Sequence, residues 1–377
     1  MNKFASDFGI EYPIFAFSHC RDVVAAVSRA GGVGVLGILA MQPEQIAIEM
    51  KWLDDNCAGK PYGVDVVIPV RTVDRESGLT DAAAVTDDLA AMIPAGHRAY
   101  AEALMEKFGV PPAPPATHQD GHGFTTAGFT AAGGAQQIDA VLEGNASFLV
   151  SALGPPPADI VEAAHRKGIK VGTLVGKPHQ AARSAATGVD FIIAQSYEAA
   201  AHTGEIGSMV LIPDVVDAVG DVPVLAAGGI GTGRQMAAAM CLGAKGVWTG
   251  SIWLTTHESG TDPWMMARMC EMTSTDTVRS KAQTGKPNRQ MRTPWTEAWD
   301  DPQGPGCLPM PLQYMLFAEY TDRARRAGVN ELVGSPVGQI VSRMNRVRSV
   351  SEVVYEIVEE YADTMQRVSS EFSLPEG

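Results

Sequence analysis

The sequence is poor in charge for its length. Of 377 residues only 19% are charged and 45% are hydrophobic. That balance excludes a disordered chain and supplies enough apolar material for a large core. Basic residues are outnumbered, 29 against 43 acidic, for a net charge of −14. A general grip on the phosphate backbone of nucleic acid is therefore not expected. No apolar run reaches the roughly 18 residues of a membrane span, and Met1–Tyr12 lacks the basic start and apolar core of a secretory signal. No membrane partner is expected. The five cysteines, Cys20, Cys57, Cys241, Cys270 and Cys307, are odd in number, scattered, and form no CxxC pair. This argues against a disulfide framework or a structural zinc, and for reduced thiols in a cytoplasmic protein. Glycine is plentiful, 39 residues, but shows no triplet period. No repeat at a period of about 20–50 residues is present, and no GxSxG nucleophile elbow occurs.

What is present is alternation. Short β-branched runs at Tyr12–Phe17, Val33–Gly37, Tyr62–Ile68, Phe148–Leu153, Lys170–Val175, Phe191–Gln195, Val222–Ala227 and Gly246–Gly250 read as strands. Helical patterns at Asp22–Ala30, Pro43–Asn56, Pro157–Lys167, Pro178–Thr187 and Gly233–Leu242 lie between them. Several begin with Pro and stop at Gly, the residues suited to a first turn and to a left-handed stop. Strands that are apolar on both faces and alternate with helices imply a parallel sheet. Eight such units fit a (β/α)8 TIM barrel, an α/β fold, with an open doubly wound sheet as the alternative. The barrel is expected over residues 1–255, with an insertion at about 71–137. A helical cap is expected over 256–334, and C-terminal helices returning to the barrel over 335–377.

Two regions break the alternation. The insertion Arg71–Gln137 contains a helix-like Thr80–Phe108, a Pro-rich stretch Val110–Ala116 and the pair His118 and His122. It reads as an excursion over the catalytic end, or a lid. In the C-terminal third, Asp262–Thr277 reads as helix, Gly285–Pro311 as loop, and Val337–Val347 and Ser351–Glu371 as helices.

Three motifs bear on chemistry. Gly32-Val-Gly-Val-Leu-Gly37 satisfies GxGxxG, but a helix precedes it and a strand follows, the reverse of the dinucleotide fingerprint. The run from Val224 to Gly233 leads a buried strand into four glycines and a helix, and Gly246–Ile252 is a second strand ending in Gly-Ser. In strands seven and eight of a barrel these are the places where a phosphate is cradled by backbone N–H groups. After strand six comes Gln195-Ser-Tyr-Glu-Ala-Ala-Ala-His202, with Glu198 and His202 four apart and able to share a face if a helical turn forms. A histidine at a barrel strand end is a candidate base. Lys177, after strand five, reads either as a cation facing a bound anion or as a surface residue, and His19 as a pocket-lining candidate.

Taken together, the segment from Ala226 to Gly231, the segment Gly243–Ser251 and the Glu-x-x-x-His-x-Gly loop from Glu198 to Gly204 resemble the nitronate monooxygenase family. The stretch Gly285–Arg289 is similar to a cap pattern of its members. The resemblance implies an FMN barrel, with the phosphate on Gly228, Gly229, Gly250 and Ser251. It puts Phe17, Ser18, Asp65, Lys177 and Gln195 around the ring and gives His202 as catalytic base or orienting group. The implied activity is oxidation of a small carbanionic substrate with dioxygen. The alternative is NAD(P)H-dependent reduction of a quinone or an enoyl or acyl-thioester substrate, with NAD(P)H as a transient co-substrate. A non-redox barrel binding a phosphorylated metabolite is the reading of another class. A homodimer is a family-level expectation. The chain departs from the family pattern where relatives carry Ala-Pro-Met after strand one, Asn in place of Asp65, and Gln-Gly-x-Glu-Ala-Gly-Gly-His where this chain reads Gln195-Ser-Tyr-Glu-Ala-Ala-Ala-His202.

Overall fold

The structure, a computed structural model, describes residues 3–39, 41–67, 89–112, 131–152 and 154–371. Eight parallel strands close a barrel in chain order. They are β1 Ile14–Ser18, β2 Val33–Gly37, β3 Tyr62–Val66, β4 Phe148–Ser151, β5 Lys170–Val175, β6 Phe191–Gln195, β7 Val224–Ala227 and β8 Gly246–Thr249. The last strand pairs back onto the first, Ile14 opposite Val247 and Ala16 opposite Thr249, which excludes the open sheet. Side chains alternate across each strand. One set, including Phe15, Val35, Phe148, Val150, Phe191, Ile193, Leu225 and Trp248, fills the barrel interior. The other set, including Val64, Leu149, Val171 and Ile192, packs against the surrounding helices.

The N-terminal end of the barrel is closed by aromatic rings. Helix Lys3–Asp7 and the turn after it bring Phe4 and Phe8 under Phe15, Phe148 and Phe191. The Phe8 ring centroid lies 5.2, 5.5 and 5.4 Å from those three, each in an edge-on arrangement. Gly63 and Gly172 make room for this layer: a Cβ on either would sit 2.2 or 2.4 Å from the Phe148 or Phe191 ring. Rings thus fill this end of the barrel, and the strand ends at the opposite face remain open to loops.

The cap differs from its sequence reading. The helix expected over Asp262–Thr277 covers only Pro263–Glu271, and a 3-10 turn Ser274–Asp276 follows. Asp276 ends the helical pattern by accepting the Thr273 N–H at 2.7 Å. The expected loop Gly285–Pro311 holds strand β10, Asn288–Met291, and helix Pro294–Asp300. Strand β10 pairs antiparallel with β9, Thr277–Ser280. Its Asn-Arg-Gln-Met sequence has no apolar alternation, so only its partner reveals it as a strand. Helix Leu312–Arg326 was not anticipated, and the helix expected over Val337–Val347 is only a 3-10 turn, Gln339–Arg343. Helix Val350–Glu371 returns to the barrel and packs on helices Arg21–Arg29 and Gly233–Cys241.

Within the insertion, helix Ala95–Lys107 docks on the cap. Arg323 grips both carboxylate oxygens of Glu102 at 2.8 and 2.9 Å, and the Tyr100 hydroxyl donates to the Ala298 carbonyl at 2.8 Å. Residues 68–88 and 113–130, with His118, His122, most of the Pro-rich stretch and the suggested lid, lie outside the described residues. No described helix is long and apolar enough to cross a membrane.

Removing the plug ring should loosen the barrel without touching its mouth. Phe8→Ala is expected to cost about 3–5 kcal/mol, the usual range for a buried ring. It should be read as a lower urea midpoint, with the barrel still folded in the absence of denaturant.

Candidate active site

At the C-terminal end of the barrel, β7 runs into Gly228-Gly229 and β8 into Gly250-Ser251. Gly228 and Gly229 have φ of 107° and 67°, conformations that side chains resist. A Cβ on Gly228 would lie 2.2 Å from Ser196 Oγ, so the residue is held to glycine by contact as well as by backbone. The N–H groups of Gly228, Gly229, Gly250 and Ser251 donate to no described residue. N–H groups at two adjacent strand ends without a described partner are donors of the kind that bind anions. The Ser251 hydroxyl accepts the Gly338 N–H at 2.9 Å, and the Gln339 N–H donates to the Glu198 carbonyl at 3.0 Å. The C-terminal segment therefore straps the loops after β6 and β8 together.

One part of the sequence reading needs correction. The N-terminus of helix Gly233–Cys241 is not free for an anion. The Gly233 N–H donates to the Glu360 carboxylate at 2.7 Å, and Arg234 pairs with the same carboxylate. Any anion held here rests on the two Gly-containing turns rather than on the helix end.

The inner wall above the aromatic floor carries Phe17, Asp65 and Gln195, each at an inward position of its strand. The Phe17 ring is stacked on Trp248 with centroids 6.3 Å apart. Asp65 is 6% exposed, and burial pushes its carboxyl well above the usual carboxylate range. Gln195 is half-buried at the end of β6. The structure brings these three to one end of the barrel with the cradle. Ser18 ends β1 beside Phe17 but turns outward by alternation, and its hydroxyl accepts the Cys20 N–H at 3.0 Å at the start of a helix. His19 is exposed and donates from Nδ1 to the Gly37 carbonyl at 2.9 Å. Lys177 stands exposed at the rim, just before helix Pro178–Ala185.

The loop after β6 holds His202. No helical turn forms, so Glu198 and His202 do not share a face. The Glu198 carboxylate instead accepts the Ser208 N–H at 3.1 Å and its hydroxyl at 2.9 Å, capping helix Ser208–Val219. Burial alone would raise the Glu198 carboxyl; the hydrogen bonds it accepts from Ser208 help outweigh burial, and the group lies below its ordinary range. Ala201 is left-handed, φ 58°, and exchanges two backbone hydrogen bonds with Arg289, 3.0 and 2.8 Å. Arg289 is buried, stacks on Tyr197 at 4.5 Å and donates to the Tyr197 carbonyl at 3.2 Å. The hairpin thus grips the loop from both backbone and side chain. His202 Nδ1 lies 3.1 Å from the Pro287 carbonyl, a contact that requires Nδ1–H and leaves Nε2 as a free base. Burial, with Lys286 nearby, lowers its pKa from the ordinary histidine value despite the Pro287 carbonyl, which favours the neutral ring. It opens on a cleft of about 220 Å³ lined also by Thr203, Arg279, Lys286, Pro287 and Met310. Sequence reasoning missed the roles of Pro287 and Arg289, although Gly285–Arg289 had been marked as a cap pattern. Their function depends on a pairing that only the folded hairpin creates. Among the described residues no group of three or more His, Cys, Asp or Glu assembles to hold a metal.

A closed (β/α)8 barrel with an anion cradle at strands seven and eight and a neutral histidine at its mouth is the framework of a cofactor-dependent enzyme. The family model for nitronate monooxygenase matches residues 3–360, and the chain belongs to that family. It is a flavin-dependent oxidoreductase. The chain is 45% identical to the Mycobacterium tuberculosis protein Rv1533, which bears the name of a monooxygenase, over 96% of this chain and 97% of that one. It is 27% identical to a protein of Staphylococcus haemolyticus named probable nitronate monooxygenase, over 95% and 96%. Among solved structures, nitroalkane oxidase from Streptomyces ansochromogenes superposes with a TM-score of 0.78 at 24% identity, covering 97% and 99% of the two chains. FabK from Thermotoga maritima superposes with a TM-score of 0.74 at 23% identity, covering 99% of each. These two likenesses bear on the fold.

The left-handed Ala201 stores strain in the loop. Ala201→Gly is expected to raise stability by about 0.5–1 kcal/mol, the strain relieved exceeding the added chain entropy. Ala201→Val should lower it. Paired urea titrations read both signs.

Proposed function

We propose that this chain is an FMN-dependent oxidoreductase that oxidises a small carbanionic substrate of the nitronate type, with dioxygen as the acceptor. The observation that carries the reading is the set of four unpaired N–H groups, on Gly228, Gly229, Gly250 and Ser251, at the barrel end that also bears a free-base histidine. One phosphate cradle among the described residues suits a mononucleotide better than FAD. The same residues would hold the phosphate, while Phe17, Asp65 and Gln195 would line the ring. Lys177 is assigned to the rim, where its charge faces solvent, and Ser18 contributes through its backbone neighbourhood.

When bound, the flavin supplies the two-electron redox chemistry. The protein supplies position and the handling of protons. His202, held through Nδ1 by the Pro287 carbonyl, presents Nε2 to the cleft. There it takes a proton from the carbon acid or orients the anion already formed. The buried surroundings keep it uncharged, which preserves its capacity as a base. The strap Gly338–Gln339 fixes this loop against the cradle, so base and cofactor keep one spacing.

A second reading has a specific observation behind it. Arg279 and Lys286 flank the cleft and would suit the phosphates of NAD(P)H, giving a reductase of a quinone or an enoyl or acyl-thioester substrate. Anaerobic flavin reduction by a nitronate, against reduction by NAD(P)H, separates the two. A colourless protein that takes up no FMN would leave the non-redox reading.

Two substitutions test the assignments. Gly229→Val would place a side chain 3.0 Å from Glu198 Cβ in a backbone conformation that Val resists. FMN retention should fall by roughly tenfold or more while the barrel stays folded, read by absorbance per protein and circular dichroism. His202→Asn should keep FMN but slow its reduction by a carbon-acid substrate on the order of 10²–10⁴. In the wild type that reduction should fail as pH drops through a pKa below 6.5, because the base becomes protonated. The acid limb should be missing in the variant. Anaerobic stopped-flow traces across pH give both results.

A further inference from the structure

We propose that Asp65 works as an uncharged carboxylic acid, a positioning residue that donates a hydrogen bond to the flavin where an amide would otherwise serve. The proposal rests on the FMN reading above and deepens it at one residue of this chain.

The geometry points inward. On β3 the outward residues Tyr62, Val64 and Val66 belong to the cluster between barrel and helices. Alternation therefore turns Asp65 into the barrel, at its C-terminal end. Its register neighbours are Gly37 on β2 and Val150 on β4, neither of which offers a polar side chain. The interior cluster beneath is made of apolar side chains, and Lys170 of β5 lies at its far end with its ammonium 5.6 Å from the Phe8 ring centroid. The Asp65 carboxyl makes no hydrogen bond or ion pair with any described residue. The helices packed outside β3, Arg21–Arg29 and Ala131–Glu143, carry Arg21, Asp22, Arg29, Asp139 and Glu143 beyond the barrel wall. At the mouth, His19 is bound to the Gly37 carbonyl, His202 to the Pro287 carbonyl, and Lys177 is exposed. None neutralises Asp65.

Among the described residues Asp65 meets no counter-charge and no donor, and a buried carboxylate so placed is among the costliest groups a core can hold. Burial alone is the cause of its upward shift, and the acid form removes the charge. An acid keeps one O–H donor and one carbonyl acceptor, the same pair an Asn amide presents. The hydroxyl proton then needs an acceptor, and the open side of Asp65 is the barrel mouth, where the flavin ring would lie. An ionised carboxylate at that place would instead repel a ring that becomes more negative on reduction.

The linkage has a definite sign. The folded state keeps a proton that the unfolded chain has released, so Asp65 supports stability fully below the ordinary carboxylate range. That support is lost as pH rises towards its elevated pKa. Asp65→Asn cannot titrate.

The experiment compares wild type, Asp65→Asn and Asp65→Ala. Without cofactor, melting temperatures are recorded from about pH 5 to about pH 9. Asp65→Asn should gain on wild type steadily as pH rises, and infrared difference spectra should show an acid carbonyl band in wild type that the Asn variant lacks. On flavin-stripped protein titrated with FMN, the Asn variant should bind within about threefold of wild type and the Ala variant about tenfold or more weaker. Wild-type affinity should fall at high pH while that of Asp65→Asn stays flat. A melting gap independent of pH, with no acid band, would overturn the neutral acid. Equal FMN affinity in all three would overturn the contact. If Asp65→Ala does not fold, the wild-type and Asn pH profiles decide alone. Failure of wild type to bind FMN at all would overturn the flavin reading and the contact with it, while the melting profiles still report the acid.

Discussion

Everything at the mouth depends on the hydrogen bonding of β8 back onto β1. That closure, Ile14 opposite Val247 through Ala16 opposite Thr249, removes both sheet edges and sends every strand end to one face. The turns after β7 and β8 become neighbours of the loop after β6 because the strands that carry them are in register. The aromatic floor sets the depth of the interior, since Phe8 and the three rings it touches leave no room lower down. What approaches the barrel can act only at its top.

The mouth is controlled more by neutrality than by charge. Two titratable groups at this end of the barrel, His202 and Asp65, are both moved by burial towards their uncharged forms. The one fully buried arginine of the cap hairpin, Arg289, is spent on holding the loop rather than facing the cleft. Backbone N–H groups at the turns after β7 and β8 would add their dipoles to the positive field of Arg279 and Lys286 at the cleft. Such backbone groups need no counter-ion and do not reorganise when an anion arrives.

The barrel was legible because each of its signals is local. Val33–Gly37, Lys170–Val175 and Phe191–Gln195 are strands with the bounds their apolar runs imply, and helix Pro43–Asn56 starts at its proline. The glycine turns after β7 and β8 were legible as turns for the same reason, since each follows an apolar run. The cap was not. Strand β10 is made of Asn, Arg, Gln and Met, all buried, and its only signal is its partner Thr277–Ser280. The expected helical turn joining Glu198 to His202 failed because Glu198 found a stronger site, the open N-terminus of helix Ser208–Val219. Spacing in sequence records which residues can meet. It does not record which competing partner holds them.

Glu360 adds a consequence of its own. Its carboxylate occupies the helix end beside the cradle and is tied there by Gly233 and Arg234. The far end of the chain thus acts as a permanent electrostatic stopper. A second phosphate group sliding along from the cradle would meet a like charge instead of a free helix dipole. An anion that reached this helix end would thus be opposed by a residue more than a hundred positions downstream of the turn it protects.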